Sequence, residues 1–493
     1  GIMIYGFILM LVIGVYVGIG WVTIENFDWR PVLIGVLGLY LLLGAYAAIG
    51  LFMSSLTSYQ IVAALGTFVI FALLNLVGRM GQVRDITYWL SLGGRVSTFL
   101  KGMICSEDLL YFVIVIVMFL SFCFLKLQLG RSRYSGLSKM LRYGGVFVVA
   151  MLAGYVTSRP MLKGYYDGTY TKANTISEAS QDIVKRLDGG MTITTYVNLL
   201  DNVYSFSKKG VLSDMALFEK YIRFKPDIKM KYVFYYDEVD NPKLEQMYPG
   251  MSVEEKAKKV VKAANLNLDN YLTPEQIRER VDLSDEGNHF VRILERENGQ
   301  TARLRIFNDM QKHPSETEVS ATLKRMVMKL PKVGFLKGHE ERSIVRNKNR
   351  DYSLFAYGRY FRYSLLNQGF DVVESELQPG KNNLQDIDIL VIADPLEAFE
   401  DWELEQLCDY IDCGKNLIIA GEPKHNEHLS PLLHELGVRF VSGTLVQPME
   451  EFPADLLVVR STLAGARLSR INVGWRRSIF TMPGAVGIDS VAD

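Results

Sequence analysis

The sequence predicts a multi-span α-helical membrane region followed by extracytoplasmic α/β domains, the last of them built on a parallel sheet. The first observation is a set of four stretches that lack Asp, Glu, Lys and Arg, at residues 3–22, 31–54, 60–78 and 109–125. Each is close to the roughly 20 residues that a helix needs to cross a bilayer. The second observation is that apolar residues beyond position 165 follow the short strand and helix periods of a water-soluble α/β protein.

A fifth apolar stretch, residues 143–158, is shorter and richer in Gly than the other four. Arg142 and Arg159 bracket it, which indicates an anchoring span rather than a buried core helix. These segments divide the chain into five parts. The parts are a membrane region at 1–128, a basic linker at 129–142, the anchoring span at 143–158, and two α/β domains at 159–330 and 331–493, the last of which we expect to be incomplete at its C-terminus.

Basic residues around the linker predict the orientation of the spans. The segment between the fourth and fifth spans has no acidic residue, and its five basic residues are Lys126, Arg131, Arg133, Lys139 and Arg142. Because cytoplasmic loops carry an excess of Lys and Arg, we expect this segment to face the cytoplasm. The anchoring span then carries the chain outward, so the residues beyond Arg159 are expected to lie outside the cytoplasmic membrane.

The first α/β domain has a βαβ pattern followed by a hairpin. Residues 191–198 and 229–236 alternate in polarity as strands do, and 213–223 between them has a helical pattern. Further along, two alternating segments flank Asn298-Gly299. This dipeptide between alternating segments is the strongest short-range signal for a β-hairpin.

The second α/β domain shows a cleaner alternation of apolar strands and helices. The predicted strands are 332–336, 370–373, 388–393 and 416–420, and the predicted helices are 353–368 and 401–413. This alternation is typical of a parallel sheet that is covered by helices on both faces.

Polar residues follow three of these strands. Ligands of such folds bind beyond the carboxyl ends of the strands, where the loops meet in one crevice. We therefore predict a rim that binds a peptide, a glycan or a loop of a partner, formed by His339, Glu340, Glu341, Asp394 and Glu422. The alternative is a solvated set of loops without a partner. A metal site is not expected, because neither this group nor the pair His425 and His428 has the spacing of a full set of ligands.

Several motifs resemble a known family. They are residues 50–57 (GLFMSSLT), 60–64 (QIVAA), 99–102 (FLKG) with Asp108 and Tyr111-Phe112, 170–177 (YTKANTIS), 330–342 (LPKVGFLKGHEER) and 386–395 (DIDILVIADP). In this order the chain resembles a fusion of two components of an ABC-2 type export system of the gliding-motility kind, a GldF-like permease and a GldG-like auxiliary protein. The resemblance covers nearly the whole chain.

The resemblance implies a multi-pass protein of the bacterial inner membrane with a large periplasmic domain. It implies transport, a separate ATPase subunit as partner, and a homodimer or hetero-oligomer in the lipid bilayer. The last unit also looks like the glutamine-amidotransferase type of fold, which is flavodoxin-like in its parallel sheet. Family permeases have six spans and auxiliary proteins of this kind usually end in another, so we expect this chain to be truncated at both ends.

The sequence lacks the signatures of several enzyme classes. No phosphate-binding loop of the form G-x-x-x-x-G-K-[ST] occurs, so ATP hydrolysis is expected to come from another subunit. Cys413 precedes Gly414 at a predicted helix end rather than at a strand-to-helix elbow, and no G-x-S-x-G motif is present. We therefore expect no enzymatic activity and no cofactor. A formal net charge of +0 gives no reason to expect nucleic acid as a partner. The competing hypothesis is a membrane-anchored extracytoplasmic binding or scaffold protein.

Overall fold

The computed structural model describes residues 2–24, 27–77, 92–130, 135–159, 162–201, 208–346, 348, 351–381, 383–450, 452–460, 462, 464–465 and 479–491. The chain forms two compact units. The first, here called the helical unit, consists of Gly1–Lys185 and Ser213–Asp227. The second, here called the α/β unit, consists of Arg186–Leu212 and Ile228–Asp493.

Long apolar helices dominate the helical unit. Their bounds are α1 Ile2–Thr23, α2 Trp29–Leu56, α3 Gln60–Val77, α4 Leu92–Leu100, α5 Ser106–Gly130 and α6 Gly136–Thr157. Within the described residues, α1, α2, α5 and α6 are long and apolar enough to cross a membrane, and α3 adds a shorter apolar stretch. The predicted spans fall on α1, α2, α3, α5 and α6.

Large apolar side chains lie both inside this group of helices and on its surface. Ala45, Ile49, Phe99 and Phe112 are buried where α2, α4 and α5 pack together. Large apolar side chains also cover the outside, and Phe68 is 68% exposed. A water-soluble protein rarely exposes a large continuous apolar surface, so these faces fit the acyl chains of a bilayer.

A short ladder joins two segments of the helical unit that are far apart in sequence. Strand β1 (Met103–Cys105) runs directly into α5, and strand β2 (Tyr165–Asp167) follows α6. The two strands are antiparallel, with Cys105 opposite Tyr165. The start of α5 and the end of α6 therefore lie at the same end of this unit. The remaining helices up to residue 227 are α7 (Glu178–Lys185) and α8 (Lys208–Phe224).

The first sheet of the α/β unit is mixed, with strand order β4-β3-β5-β6. Its strands are β3 Met191–Asn198, β4 Ile228–Tyr235, β5 Val291–Arg296 and β6 Thr301–Arg305, and the nearby helices are α9 Pro242–Met247, α10 Val253–Ala264, α11 Pro274–Arg278 and α12 Glu316–Arg325. β3 and β4 are parallel, as the βαβ pattern predicted. The hairpin prediction is also confirmed, because β5 and β6 pair antiparallel around Asn298 and Gly299.

The second sheet is parallel throughout, with strand order β10-β9-β7-β8. Its elements are β7 Lys332–Lys337, α13 Ser353–Tyr357, β8 Asp371–Glu376, β9 Ile389–Ala393, α14 Asp401–Asp412 and β10 Asn416–Ala420. Phe335 and Val391 point to one apolar cluster, whereas Leu336 and Leu390 point to another. The prediction of a parallel sheet covered on both faces is therefore confirmed. Its assignment to the glutamine-amidotransferase or flavodoxin-like type stays a prediction.

Beyond this sheet the described chain consists of one helix and short strand pairs. The elements are α15 Asn426–Glu435, β11 Val438–Phe440, β12 Leu456–Arg460, β13 Ile479–Pro483 and β14 Ile488–Ser490. β11 pairs with β14, and β12 pairs with β13.

One predicted helix of the second α/β domain is much shorter than expected. The apolar pattern predicted a helix over 353–368, but α13 ends at Tyr357. Gly358 leaves the helical region with ψ of 101°. The side-chain amide of Asn367 then donates hydrogen bonds to the carbonyl oxygens of Gly358, Arg359 and Phe361, which stabilise turns in place of further helix.

Ion pairs hold the two sheets of the α/β unit together. Arg362, which follows α13, donates from Nη1 to Glu318 of α12 at 2.7 Å and from Nε to Asp309 at 2.6 Å. Both Arg362 and Glu318 are buried. Arg362 also holds the pKa of Asp309 below its usual range, because it donates hydrogen bonds to that carboxylate. The two sheets are thus parts of one compact unit, and the predicted boundary at residue 330 stays a prediction.

Candidate functional site

The carboxyl ends of the parallel strands bring three polar segments together. The segment after β7 contains residues 338–342, Asp394 follows β9, and Glu422 lies just beyond β10. Backbone hydrogen bonds join them, since Arg342 N donates to Ala393 O at 2.9 Å and Asp394 N donates to Ala420 O at 2.7 Å. The sequence predicted that these segments lie together, because the loops that follow parallel strands all lie at the same edge of the sheet.

An arginine lies between two of the predicted carboxylates. Arg342 Nη2 donates to Glu422 Oε1, and the same nitrogen lies 3.4 Å from Asp394 Oδ2. Asp394 is buried and has a φ of 54°, and its Oδ1 accepts from the backbone N–H of Glu422 at 3.1 Å. The guanidinium therefore offsets one of the two carboxylate charges of this triad.

His339 belongs to a second cluster with different partners. Its Nε2 lies 2.9 Å from Glu403 Oε2, and its ring packs against Phe399 with 4.5 Å between centroids. Its backbone N–H donates to Glu341 Oε2 at 2.7 Å. His339, Glu341 and Glu403 are all buried.

Glu340 is the exposed member of the predicted rim. Its carboxylate lies 3.7 Å from Arg346 Nη1, and its side chain is 65% exposed. A cleft of about 220 Å³ runs past Gly338, Glu340 and Arg346. Glu340 is therefore exposed to solvent, whereas His339, Glu341 and Asp394 are buried. A partner-binding role for these residues stays a prediction. Of the predicted rim, Glu340 and the half-buried Glu422 are the side chains that solvent reaches, and the exposed Arg346 lies beside Glu340.

Three side chains near the rim have the spacing of metal ligands. One ligand atom each from Asp394, Glu422 and His425 lies within 4.8 Å of the others. However, the Arg342 guanidinium contacts both carboxylates and already supplies positive charge there. Three donors also fall short of the four that structural zinc sites use. His428 lies apart from this group, 3.9 Å from Glu427. This geometry is better explained by an ion-pair network.

Sequence reasoning missed Arg342, Glu403 and Phe399 as members of the site. Arg342 ends the same polar run as His339, so its place after β7 was a usable signal. Glu403 is the third residue of α14 and accepts the backbone N–H of Glu400 at 2.8 Å, as in a capping box. Nothing in the sequence indicates that it also contacts a histidine 64 positions earlier.

A second polar cluster lies in the helical unit beside the β1–β2 ladder, and we call it the junction. Arg95 of α4 is fully buried, and its Nη1 donates to Asp108 Oδ1 at 2.8 Å. Its Nη2 lies 3.3 Å from Glu107, whose other oxygen contacts Lys163 at 2.6 Å. The junction thus ties α4, the start of α5 and the segment after α6 together through charges of both signs.

Asp167, at the end of β2, is the second carboxylate that organises the junction. Burial would raise the pKa of Asp167, but hydrogen bonds from Thr169 and Asn174 outweigh burial and lower that pKa. Asn174 also donates to the carbonyl oxygen of Lys101 at 2.8 Å, and Tyr170 N donates to Asp28 at 2.7 Å. The segment after α6 is therefore bonded both to the loop before α2 and to the segment before α5.

Comparison with known proteins matches one part of the chain. Residues 330–462 match the model of a family described as an ABC-type uncharacterized transport system, which supports an ABC transport auxiliary domain here. No curated protein matches the chain. A solved structure of the mmIFT52 N-terminal domain is 16% identical to this chain in sequence. The match covers 32% of this chain and 68% of the mmIFT52 chain, with a TM-score of 0.25. A TM-score this low does not indicate a shared fold.

Together, the family match and the apolar helices fit a membrane-associated component of an ABC transport system.

Proposed function

We propose that this chain is the membrane component of an ABC-type exporter, in which a permease-like region is fused to extracytoplasmic auxiliary domains. The observation that carries the proposal is the match of residues 330–462 to an ABC transport auxiliary family in a chain whose first 157 residues supply several apolar helices. One span would be enough to tether an outer domain. Several packed helices favour a role in the channel itself.

The junction supports a mechanical link between the two parts. β1 leads into α5 and β2 follows α6, so the ladder connects the permease-like helices to the first residues of the outer segment. Because Glu107 at the start of α5 forms an ion pair with Lys163 after α6, the connection is held by ionic as well as backbone contacts. In the proposed mechanism, a displacement of α5 reaches the auxiliary domains through this ladder.

Energy in this proposal comes from a separate cytoplasmic ATPase subunit, since the sequence has no phosphate-binding loop. The chain has no enzymatic role of its own. The basic linker faces the cytoplasm of a bacterium, and the auxiliary domains lie in the periplasm, where the exposed Glu340 and Arg346 contact cargo or an envelope partner. The export system is of the gliding-motility kind, and the complex contains two copies of the permease-like region.

Purification of the full chain with and without its ATPase tests this function. The ATPase is taken from the neighbouring gene that encodes a phosphate-binding loop. We expect no saturable ATP binding by the chain alone, a stable complex in detergent, and ATP hydrolysis that is lost when the loop lysine of the ATPase is replaced by Ala. Saturable ATP binding by the chain alone would contradict the proposal, as would failure of the two proteins to form a complex.

A further inference from the structure

A groove of about 620 Å³ runs between α5 and α6 in the helical unit. Branched side chains such as Val113 and Val117 line the side of α5, and Gly145, Ala150 and Ala153 line the side of α6. The small residues of α6 leave the space that the larger side chains of α5 do not fill. The groove is therefore apolar along most of its length.

The groove has the length of one bilayer leaflet. Its lining on α6 extends from Arg142 to Ala153. With a rise of about 1.5 Å per residue these eleven steps span about 16 Å, roughly half of the ~30 Å hydrocarbon core of a bilayer. A single acyl chain of a phospholipid extends over this same depth, from its headgroup to the middle of the membrane.

Positive charge is concentrated at one end of the groove. Of the lining residues that the structure describes, Arg142 is the one with a charge, and it is the last residue of the basic linker, at the N-terminal end of the lining of α6. No Asp or Glu occurs between Leu109 and Tyr166. Basic pockets between membrane helices on the cytoplasmic side are suited to anionic lipid headgroups.

We propose that this groove binds one anionic phospholipid, with an acyl chain between α5 and α6 and the headgroup phosphate at Arg142. The charge at one end selects the headgroup, and the apolar length accepts the chain. The proposal requires that α5 and α6 lie in a bilayer, but it requires neither transport nor a particular ATPase. It can therefore fail while the proposed function holds, and the reverse is also possible.

The test is native mass spectrometry of the full chain in mild detergent. The protein is incubated with phosphatidylglycerol or with phosphatidylethanolamine that carries the same acyl chains. We expect one phosphatidylglycerol to be retained at least tenfold more strongly than phosphatidylethanolamine. Arg142→Gln should abolish this preference, and Arg142→Lys should keep most of it because the charge remains. Arg159→Gln removes the same charge just beyond the opposite end of α6 and should retain the preference.

Two adjacent glycines provide a matched control for the apolar part. A Cβ atom added at Gly144 or at Gly145 has no atom from another part of the chain within 4 Å, but only Gly145 is among the lining residues that the structure describes. Gly145→Leu should displace lipid of either headgroup, whereas Gly144→Leu should not. Equal retention of both lipids by the wild type, or an unchanged preference in Arg142→Gln, would overturn the proposal. A wild type that binds neither lipid would also overturn it. If, in addition, the wild type is a dimer that Gly145→Leu dissociates, a second copy of the chain occupies the groove.

Discussion

Arg342 is the residue on which the charge balance of the rim depends. It contacts the buried carboxylate of Asp394 and that of Glu422. Arg342→Gln leaves Asp394 buried without its cation, and breaking such a pair is strongly destabilising. We expect the free energy of unfolding to fall by about 2–3 kcal/mol, measured by denaturation of the purified chain in detergent.

The matched control is Arg346→Gln. Arg346 is 45% exposed, lies 3.7 Å from Glu340 and from Asp351, and donates one hydrogen bond to the carbonyl oxygen of Glu341. We therefore expect a loss of about 0.5–1 kcal/mol, clearly below that at Arg342. Equal stability of the Arg342 and Arg346 variants would mean that the triad has no structural role. If the rim serves partners, Arg346→Gln combined with Glu340→Gln should also weaken assembly.

We expect His289 to make the stability of the α/β unit depend on pH. A hydrogen bond with the buried Asp201 raises the pKa of His289. The contact therefore contributes its full stabilisation when the pH is below the pKa of His289 in the unfolded chain, about 6.5. This stabilisation is lost as the pH rises through the higher pKa of His289 in the folded protein. The melting temperatures of wild type and His289→Gln should therefore differ most at about pH 6 and converge at alkaline pH.

The exposed His434 provides the comparison for this pH effect. We expect His434→Gln to follow the wild type at every pH. If His289→Gln instead differs from the wild type equally at all pH values, its effect comes from packing, for example against the ring of Tyr360 at 5.3 Å between centroids, and not from titration.

At the residue scale, the sequence indicated which loops form the rim but not how their side chains pair. Parallel strands force residues 338–342, Asp394 and Glu422 to one edge whatever their side chains are. The partners of His339 depend on where α14 lies over that edge. The contact between His339 and Glu403 has no local pattern that sequence reasoning can read.

The β1–β2 ladder is the element that joins the start of α5 to the segment after α6. Cys105 lies opposite Tyr165, and Ser106 N donates to Gly164 O beyond that pair, which makes it a non-hydrogen-bonded pair. The Cα atoms of such pairs are typically about 4.5 Å apart, within the range that a disulfide can bridge. Tyr165→Cys in a chain without the other native cysteines should therefore form a disulfide with Cys105 on mild oxidation.

A protease site inserted in the segment 131–134 makes this disulfide visible. After cleavage, the two fragments should remain joined on a non-reducing gel and separate on reduction. Tyr166→Cys is the control, since neighbouring side chains of a strand point to opposite faces and this one is directed away from Cys105. Fragments that separate without reductant in the Tyr165 variant would show that the ladder does not form.

The elements that were predictable are those with a long local pattern. The length and lack of charge of the apolar stretches predicted the spans. Apolar runs between helical patterns predicted the parallel strands. β1 and β2 have three residues each, and their pairing joins positions about sixty residues apart, so no periodicity marks them. The premature end of α13 was missed because the apolar pattern continued through turns that Asn367 stabilises.

At the scale of the whole molecule, hydrogen bonds between segments indicate the order in which the helices cross from one end of the helical unit to the other. The loop before α2, the segment before α5 and the segment after α6 are hydrogen-bonded to one another, so they share one end of the helical unit. Of the helices that the structure describes between these points, α2 and α3 form one excursion to the other end, and α5 and α6 form another. Within the helical unit, the start of α6 and the segment after α6 therefore lie at opposite ends.

The measurement that tests the proposed orientation in the membrane most directly is labelling of intact spheroplasts with a maleimide that cannot cross membranes. One variant keeps the exposed native Cys413 as its single cysteine. A second variant lacks all native cysteines and carries Gly136→Cys, at an exposed position within the basic linker. We expect Cys413 to be labelled in intact spheroplasts and Gly136→Cys to be labelled only after permeabilisation. Protection of Cys413, or labelling of both sites from outside, would contradict the account.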